Sequence, residues 1–398
     1  MYLYLFNPDN DLALGNNSPF YQSPVSARQM AADLAVLPAW VVPNAETMVA
    51  VPGKDFAEAW ERESGWDFSV RWVTLDEGVA CCHAIRPWGW NAALVQELKR
   101  HGAAVTVLPT AEELTELRRL SSRLCAVDML GERPREACFC GTSWACRSVE
   151  EVESVLRWSS SAGQMLLKAP WSGSGKGLRR VKGAVMDALT RNWCMRMLAT
   201  QQAVVVEPVY QRVVDFAMEF LADGRGGVTF VGYSLFQTDG NGAYKGNSLK
   251  SDECIVEELN RLLPVGALEK ARVFLLTQLP RLLRSGYKGF LGVDMMVCRF
   301  DEEPAFRLHP CVEINLRMNM GVVAHEFYHR WLSPMSEGLF RIDYFPSPAL
   351  LYADHCQQKN AHPLVMRDGR MECGYVSLNP IGPDTRYRAA VWVHHLIG

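Results

Sequence analysis

The sequence has no basic excess, few cysteines and no long apolar run, and each feature argues against a class of protein. Its 398 residues carry 41 basic and 44 acidic side chains, a balance that argues against a protein that wraps nucleic acid. Twelve cysteines are too few for a disulfide scaffold of this length and indicate reduced thiols in a cytoplasmic protein. No apolar run reaches the ~18 residues of a transmembrane helix. The N-terminus also lacks the basic region of a signal peptide.

The residues that are present have the composition of a globular enzyme. The 48% of apolar and 21% of charged residues are typical of a packed, multidomain protein. At roughly 150 residues per domain, the length predicts two or three domains.

The first part of the chain alternates apolar runs that favour strands with amphipathic stretches that favour helices. The predicted helices are Ser26–Leu37 and Asn91–His101, and the predicted strands are Tyr2–Phe6, Trp40–Val42, Val70–Leu75, Cys81–Ile85 and Ala104–Leu108. This alternation is typical of a parallel sheet with Rossmann-like winding. Ligands bind such sheets at the loops after the strands, which here are Asn7–Asp11 and Arg86–Asn91.

A capping box at Thr110 and Glu113 predicts the start of a helix, and we place a domain boundary near residue 110. Ser148 and Glu151 form a second capping box.

A glycine-rich loop follows the apolar run that ends at Lys168. Glycines let backbone N–H groups approach an anion closely, and serine and lysine side chains add donors. The pattern therefore predicts a phosphate-covering loop made of Ser172, Gly173, Ser174, Gly175, Lys176 and Gly177. It is not a P-loop, because Pro170 and Gly177 occupy two of its required positions. A flexible surface turn is the alternative.

Two predicted strands follow the glycine loop. Ala203–Tyr210 is a buried strand whose apolar run stops at Glu207, and Asp215–Phe220 alternates cleanly. The alternation places Asp215 and Glu219 on one face. Alone, the pattern indicates two strands with a short connection.

The most specific feature is an acidic hairpin. Gly292–Cys298 and Arg307–Arg317 favour strands around a turn at 301–305, and a turn centred between residues 303 and 304 pairs Asp294 with Glu313. Alternation then places Glu313, Asn315 and Arg317 on one face. Two carboxylates and an amide oxygen on one face predict a site for a hard cation such as Mg²⁺, because the cation removes their repulsion. A carboxylate pair neutralised by Arg317 is the alternative.

In this order, the three features resemble the ATP-grasp superfamily over about residues 115–325. Several segments also resemble a group of bacterial ATP-grasp proteins: Phe6–Leu14, Pro87–Trp90, Lys168–Gly177 and Glu313–Arg317. The resemblance implies a Rossmann-like pre-ATP-grasp domain followed by a two-lobed ATP-grasp fold. The implied division is a first domain at 1–110, an N-terminal lobe at 111–206, a C-terminal lobe at 207–345 and an extension packed on the body at 346–398.

The resemblance also implies a nucleotide site. Lys168 would contact phosphate, and the loop from Ser172 to Gly177 would cover the β- and γ-phosphates. The segment from Glu207 to Tyr210 would be the adenine hinge, with the Pro208 carbonyl and the Tyr210 N–H as backbone partners. Asp215 would hold the ribose, although it lies one residue later than the commonest spacing.

Chemistry and partners are implied in the same way. Asp294, Glu313 and Asn315 would bind Mg²⁺, and Arg317 would stabilise the transferred phosphoryl group. Lys245 or Lys250 would complete the phosphate site. The implied reaction uses ATP to convert a carboxylate into an acyl phosphate, which an amine or a thiol attacks and which releases ADP.

The expected partners are small-molecule or peptide substrates and neither nucleic acid nor membrane, and a homodimer is compatible with the sequence. Candidates for the acceptor pocket are Asp9, Asp11, Trp88, Trp90, Tyr244 and Asn247.

A second motif competes with this interpretation. His325, Glu326 and His329 match H-E-x-x-H, the helical pattern of zinc peptidases. No third histidine follows at the metzincin spacing, where Leu332 and Met335 stand, so the pattern is weak. A catalytically inactive nucleotide-binding module is a further alternative.

Overall fold

Three β-sheets organise the residues described by the computed structural model, which are 1–42, 44–159, 163–173, 177–239, 244–284 and 286–396. The first sheet is parallel, has the order β3-β2-β1-β4, and consists of β1 (Tyr2–Leu5), β2 (Thr47–Ala50), β3 (Arg71–Val73) and β4 (Ala84–Pro87). Since β1 and β4 are parallel neighbours, their following loops meet at one edge. There the Asn7 side chain donates to the Gly89 carbonyl oxygen at 2.8 Å.

Two predicted strands of this region are wrong. Trp40 and Val41 belong to helix α3 (Leu37–Val41), and a 3₁₀ turn spans Val105–Val107. Short apolar runs do not distinguish a buried strand from a buried helical turn, and all five residues of α3 are buried. The strand that the prediction missed is β2, which is only four residues long.

The second sheet is antiparallel and carries the strand before the glycine loop. Its order is β5-β8-β6-β7, and its strands are β5 (Trp144–Cys146), β6 (Gln164–Lys168), β7 (Leu178–Lys182) and β8 (Val204–Pro208). The apolar side chains of this sheet pack with helices α9 (Val149–Trp158) and α10 (Ala188–Gln201) around the buried Leu167 and Trp193.

The third sheet has nine strands in the order β13-β12-β9-β10-β11-β14-β17-β16-β15, all paired antiparallel. The strands are β9 (Gln211–Asp223), β10 (Val228–Thr238), β11 (Tyr244–Leu249), β12 (Lys288–Arg299), β13 (Phe306–Asn315), β14 (Ser336–Tyr344), β15 (Val365–Arg367), β16 (Arg370–Ser377) and β17 (Tyr387–His395). The last three strands follow residue 345, so the C-terminal segment continues this sheet.

The remaining helices cover the sheets. They are α1 (Asn10–Asn16), α2 (Val25–Asp33), α4 (Lys54–Ser64), α5 (Leu75–Cys81), α6 (Ala92–Arg100), α7 (Ala111–Leu120), α8 (Arg123–Gly131), α11 (Asp252–Asn260), α12 (Ala267–Leu282), α13 (Met320–Trp331) and α14 (Pro348–Ala361). The capping box at Thr110 is confirmed, and Ser148 caps α9 by accepting from the Glu151 N–H. Among the residues described, no helix is long and apolar enough to cross a bilayer.

An aromatic cluster packs the N-terminal region against α13, a helix that lies on the third sheet. Trp40 of α3 is fully buried, and its ring lies 5.3 Å from that of Phe327 and 5.4 Å from that of Trp331, both on α13. The Trp331 indole N–H donates to the Trp40 carbonyl oxygen at 3.0 Å. Aromatic burial of this kind contributes several kcal/mol, so α13 is held firmly between the two regions.

Candidate functional site

The acidic hairpin has the pairing that the sequence predicted at its polar end. Asp294 pairs with Glu313, and Gly292 pairs with Asn315. Nearer the turn, Cys298 pairs with Arg307, so the register shifts by two residues between the two ends. Pro310 lies within this irregularity, where a residue without an N–H is tolerated. The predicted pairing is therefore confirmed, although the turn is centred one residue earlier than expected.

A third carboxylate, Glu219, lies beside the pair and was not predicted as a site residue. Its side chain is 1% exposed and accepts from the Ser234 hydroxyl at 2.9 Å and from the Asn319 amide at 2.8 Å. Gly321 makes room for it, since a Cβ there would lie 2.1 Å from the Glu219 carboxylate. The alternation of 215–220 was the available signal, because it already placed Glu219 on the polar face with Asp215.

These carboxylates are crowded enough to perturb one another. Burial raises the pKa of the Asp294 carboxyl well above its usual range, and the Glu313 and Glu219 carboxylates raise it further. Burial also raises the pKa of Glu219. Carboxylate and amide oxygens are the ligands that Mg²⁺ takes, so the donor set of Asp294, Glu313 and Asn315 fits the ion.

Replacement of Asp294 by asparagine is expected to raise the Tm of the metal-free protein by about 2 °C at neutral pH. The folded carboxyl keeps its proton to higher pH than the unfolded one. The wild-type chain therefore loses stability as the pH rises from about 3.9 through the raised pKa, and asparagine removes this penalty. Thermal denaturation in a chelating buffer measures the difference. The exposed Asp301→Asn in the hairpin turn is the control, and an unchanged or lower Tm for Asp294→Asn contradicts the expectation.

Arg317 is held by the N-terminal region rather than by the carboxylate pair. Its guanidinium donates to both carboxylate oxygens of Asp11 at 2.7 to 3.1 Å and to the Asn315 amide oxygen at 2.9 Å. Bidentate arginine–carboxylate contacts fix orientation as well as charge. The first turn of α1 therefore positions the arginine that the sequence placed on the acidic face.

The carboxylate of Glu313 is bound by Arg123, a residue that sequence analysis did not select. Arg123 is the first residue of α8 and is 7% exposed. It donates to Glu313 at 3.0 Å, to the Ala169 carbonyl oxygen at 2.7 Å and to the Ser172 hydroxyl at 2.7 Å. One guanidinium thus joins the glycine loop to the acidic hairpin. An arginine at a helix start carries no local signal for this role.

The described ends of the glycine loop are closely packed. Gly177 has a φ of +85°, and a Cβ there would lie 2.8 Å from that of Ser172, so only glycine fits comfortably. The Ala169 N–H donates to the Gly177 carbonyl oxygen at 2.9 Å and closes the base of the loop. Gly173 lies beside Asp11, because its Cβ would be 3.7 Å from the Asp11 carboxylate. Ser174, Gly175 and Lys176 lie outside the described residues.

Lys168 and Glu207 form a buried ion pair. The Lys168 ammonium lies 2.5 Å from the Glu207 carboxylate, and the side chains are 6% and 7% exposed. They stand on neighbouring strands, β6 and β8, of the second sheet. Lys168, which the sequence predicted to contact phosphate, is therefore already paired with Glu207, the residue predicted to begin the hinge.

The predicted hinge links the second sheet to the third. Pro208 ends β8, and Gln211 begins β9. The Tyr210 hydroxyl accepts from the Thr142 N–H at 2.9 Å. Asp215, four residues into β9, accepts from the Thr238 hydroxyl at 2.9 Å and lies 2.9 Å from the Arg212 guanidinium.

The two candidate lysines differ in their surroundings. Lys250 binds Glu258 and lies 3.7 Å from Glu337, so its charge is already matched. Lys245 is exposed on β11. This difference favours Lys245 for a role with an incoming anion.

Two cavities adjoin the loops of the parallel sheet. One, of about 500 Å³, is lined by Trp88, Trp90 and Tyr287 and by Leu316 and Met318, the neighbours of Arg317. The other, of about 420 Å³, is lined in part by Asp9. Of the predicted acceptor residues, Asp11 instead binds Arg317, while Tyr244 donates a hydrogen bond to the buried Asn247.

No protein-family model matches the chain, and no curated protein matches its sequence. Solved structures match it over nearly its whole length. The N5-carboxyaminoimidazole ribonucleotide synthetase of Thermus thermophilus is 12% identical, with 100% of this chain and 94% of that chain covered and a TM-score of 0.50. The biotin carboxylase of Campylobacter jejuni, in a complex with β,γ-ATP, is 11% identical, with 99% and 88% covered and a TM-score of 0.50.

The N5-carboxyaminoimidazole synthetase of Staphylococcus aureus complexed with ADP is 9% identical, with 100% and 93% covered and a TM-score of 0.50. These proteins have the ATP-grasp fold, and the chain therefore has it too. The likeness confirms the predicted mixed α/β fold of the ATP-grasp type, while the Rossmann-like character of the N-terminal domain stays a prediction.

Proposed function

We propose that the protein is an ATP-dependent, ADP-forming ligase that activates a carboxylate as an acyl phosphate for attack by an amine, or less often a thiol. The contacts of Arg123 carry the proposal, because this one side chain binds both the glycine loop and the Glu313 carboxylate. A phosphate-covering loop and a cation site must adjoin for phosphoryl transfer. Solved structures with the same fold hold ADP or β,γ-ATP, which supports a nucleotide site in the cleft between the glycine loop and the acidic hairpin.

The nucleotide would lie between the second and third sheets. The loop from Ser172 to Gly177 would cover the β- and γ-phosphates, and Lys168 would release part of its contact with Glu207 to meet them. The Pro208 carbonyl and the Tyr210 N–H would bind adenine, and Asp215 would bind the ribose.

The acidic face would hold the metal. Asp294, Glu313 and Asn315 would bind Mg²⁺, which supplies charge neutralisation for the transferred phosphoryl group. Arg317, held in place by Asp11, would stabilise the acyl phosphate, and Lys245 would add positive charge. No nucleophilic side chain is required, because the substrate carboxylate attacks the γ-phosphate directly.

The acceptor would occupy the cavity of about 500 Å³ beside Arg317. Tyr287 lines it; burial raises the pKa of the Tyr287 phenol, and the guanidinium groups of Arg317 and Arg86 lie close enough to oppose that rise. Two nearby arginines favour an anionic substrate, and Trp88 and Trp90 favour one with an apolar or planar part. We propose that residues 1–110 form the Rossmann-like pre-ATP-grasp domain, and that the boundaries at 206 and 345 divide the rest.

Saturating ATP with Mg²⁺ is expected to raise the Tm by about 3 °C. At a ligand concentration of ~100 Kd, binding adds about 2.7 kcal/mol to the free energy of unfolding. Differential scanning fluorimetry measures the shift, and an ADP-release screen with pools of carboxylic acids and amines then seeks the substrates.

The double variant Lys168→Met with Glu207→Gln tests the same site, because it leaves no buried charge without a partner. We expect it to lose most of the nucleotide-induced shift, whereas Lys182→Met, an exposed change on the neighbouring β7, keeps it. An equal shift in both variants contradicts the assignment of Lys168. A nucleotide-induced shift without ADP release from any pool supports the inactive-module alternative.

A further inference from the structure

A group of metal-ligating side chains lies outside the nucleotide cleft. His325 and His329, four residues apart on α13, meet Asp252, the first residue of α11. One ligand atom from each of the three lies within 4.8 Å of the others. The H-E-x-x-H pattern supplies both histidines, but the carboxylate comes from 73 residues earlier in the chain.

His325 is the central member of this group. Its side chain is 8% exposed, and neither ring nitrogen has a hydrogen-bond partner among the residues that the structure describes. Its Nε2 lies 3.7 Å from the Asp252 carboxylate, beyond hydrogen-bonding distance. Buried ring nitrogens normally find a hydrogen-bond partner, and His325 has none among the described residues. Its Nε2 faces the Asp252 carboxylate and its ring lies 4.3 Å from that of His329, so the group points to a ligand.

The spacing suits a metal ion. Ligands at ~2.0–2.1 Å in a tetrahedral site lie ~3.3 Å from each other, close to the 3.7 Å between His325 and Asp252. The rings of His325 and His329 have centroids 4.3 Å apart. A small rotation of exposed His329 would complete the set. Two imidazoles and one carboxylate are the ligands of zinc and of related transition ions.

The surrounding residues hold the three ligands in place. The Tyr233 N–H donates at 2.9 Å to Oδ1 of Asp252, the oxygen that lies 3.7 Å from the Nε2 of His325, and this bond orients the carboxylate towards the imidazole. Gly232 makes room for the imidazole, because a Cβ there would lie 2.0 Å from the Nε2 of His325. Any side chain at this position of β10 would close the site.

Glu326 has a different place from the glutamate of a zinc peptidase. Its carboxylate lies 3.9 Å from the Nδ1 of His325, the nitrogen that does not face Asp252, and accepts from Arg330 at 2.7 Å. In metal sites, a carboxylate at the second ring nitrogen orients the imidazole. Because Arg330 binds it, Glu326 is poorly placed to activate a metal-bound water.

We infer that Asp252, His325 and His329 form a binding site for a divalent transition-metal ion of the zinc class. The bound ion ties the start of α11 to α13, the helix that carries the aromatic contact with the N-terminal region. Exposed His329 leaves the fourth coordination position to solvent. The site is separate from the proposed Mg²⁺ site, which has only oxygen ligands, and its existence does not depend on the ligase activity.

Equilibrium dialysis of Zn²⁺ against the full, tag-free protein tests the site, with excess Mg²⁺ present to occupy the acidic hairpin. We expect one Zn²⁺ per wild-type chain. For His329→Ala we expect the Zn²⁺ affinity to fall by about 100-fold or more, because the loss of a direct metal ligand lowers the affinity more than the loss of a residue that only orients a ligand. His329 is exposed, so this variant should fold. Asp252→Asn keeps the acceptor for Tyr233 and should also bind weakly.

Co²⁺ provides a readout independent of affinity, since its visible absorption reports nitrogen ligands in a low-symmetry site. The matched control is His101→Ala, which removes an exposed histidine that lies 2.6 Å from Asp76 without a second imidazole. We expect it to bind Zn²⁺ and Co²⁺ like the wild type. Absence of stoichiometric Zn²⁺, or wild-type affinity in His329→Ala, would overturn the inference.

Discussion

Replacement of Glu313 by glutamine is expected to lower the rate of ATP-dependent ADP release by about 100- to 1000-fold and to leave the fold intact. Glutamine keeps the size of the side chain and an acceptor for Arg123, which lies 3.0 Å from the carboxylate. It removes the negative charge that would bind Mg²⁺ opposite Asp294. Steady-state kinetics with an identified substrate pair, together with circular dichroism, measure both effects.

The matched control for this variant is Glu302→Gln. Glu302 stands in the turn of the same hairpin, where its side chain is 79% exposed. The same chemical change should therefore leave the rate within about twofold, as is usual for exposed sites. Full ATP-dependent activity in Glu313→Gln would refute the metal assignment.

Replacement of Arg317 by methionine is expected to lower kcat by about 100-fold or more and to destabilise the protein by roughly 2–4 kcal/mol. The loss of rate follows from its proposed contact with the transferred phosphoryl group. The loss of stability follows because Asp11, with a side chain 21% exposed, would be left without its bidentate partner. Kinetics and urea denaturation measure the two effects separately.

Two further variants separate charge from geometry at this position. Arg317→Lys keeps the charge but cannot form the paired bonds to Asp11, so we expect an intermediate kcat. Arg299→Met removes an exposed arginine at the end of the same hairpin's first strand and should change neither quantity. A kcat for Arg317→Met within about threefold of the wild-type value would contradict the proposed role.

Local patterns predicted several features of the candidate site. A turn assumed between residues 303 and 304 was enough to pair Asp294 with Glu313, and the structure has this pairing because the register shift near Pro310 offsets a turn centred one residue earlier. Such local reasoning is possible because a hairpin brings together residues that are close in sequence, with side chains that alternate by two. The same reasoning failed at Trp40, whose short apolar run forms a helix turn.

Other parts of the site could not be predicted from local patterns. Arg123 lies 190 residues from Glu313, and Asp11 lies 306 residues from Arg317, so no periodicity connects them. Glu219 was placed on a polar face by alternation, but its contact with Asn319, 100 residues later, depends on how α13 packs. Such contacts require the strand order and the helix placement.

The H-E-x-x-H segment shows most clearly which features the sequence determined and which features the tertiary structure decided. Its sequence determined that His325 and His329 share one face of a helix, because residues four apart lie one above the other. Only the tertiary structure brought Asp252 beside them and placed Glu326 against Arg330. The sequence by itself thus determined the motifs and, through their order, the fold. The tertiary packing decided which charged side chains contact each other. The strength of such contacts depends on burial, and these side chains are buried only when distant segments of the chain pack together.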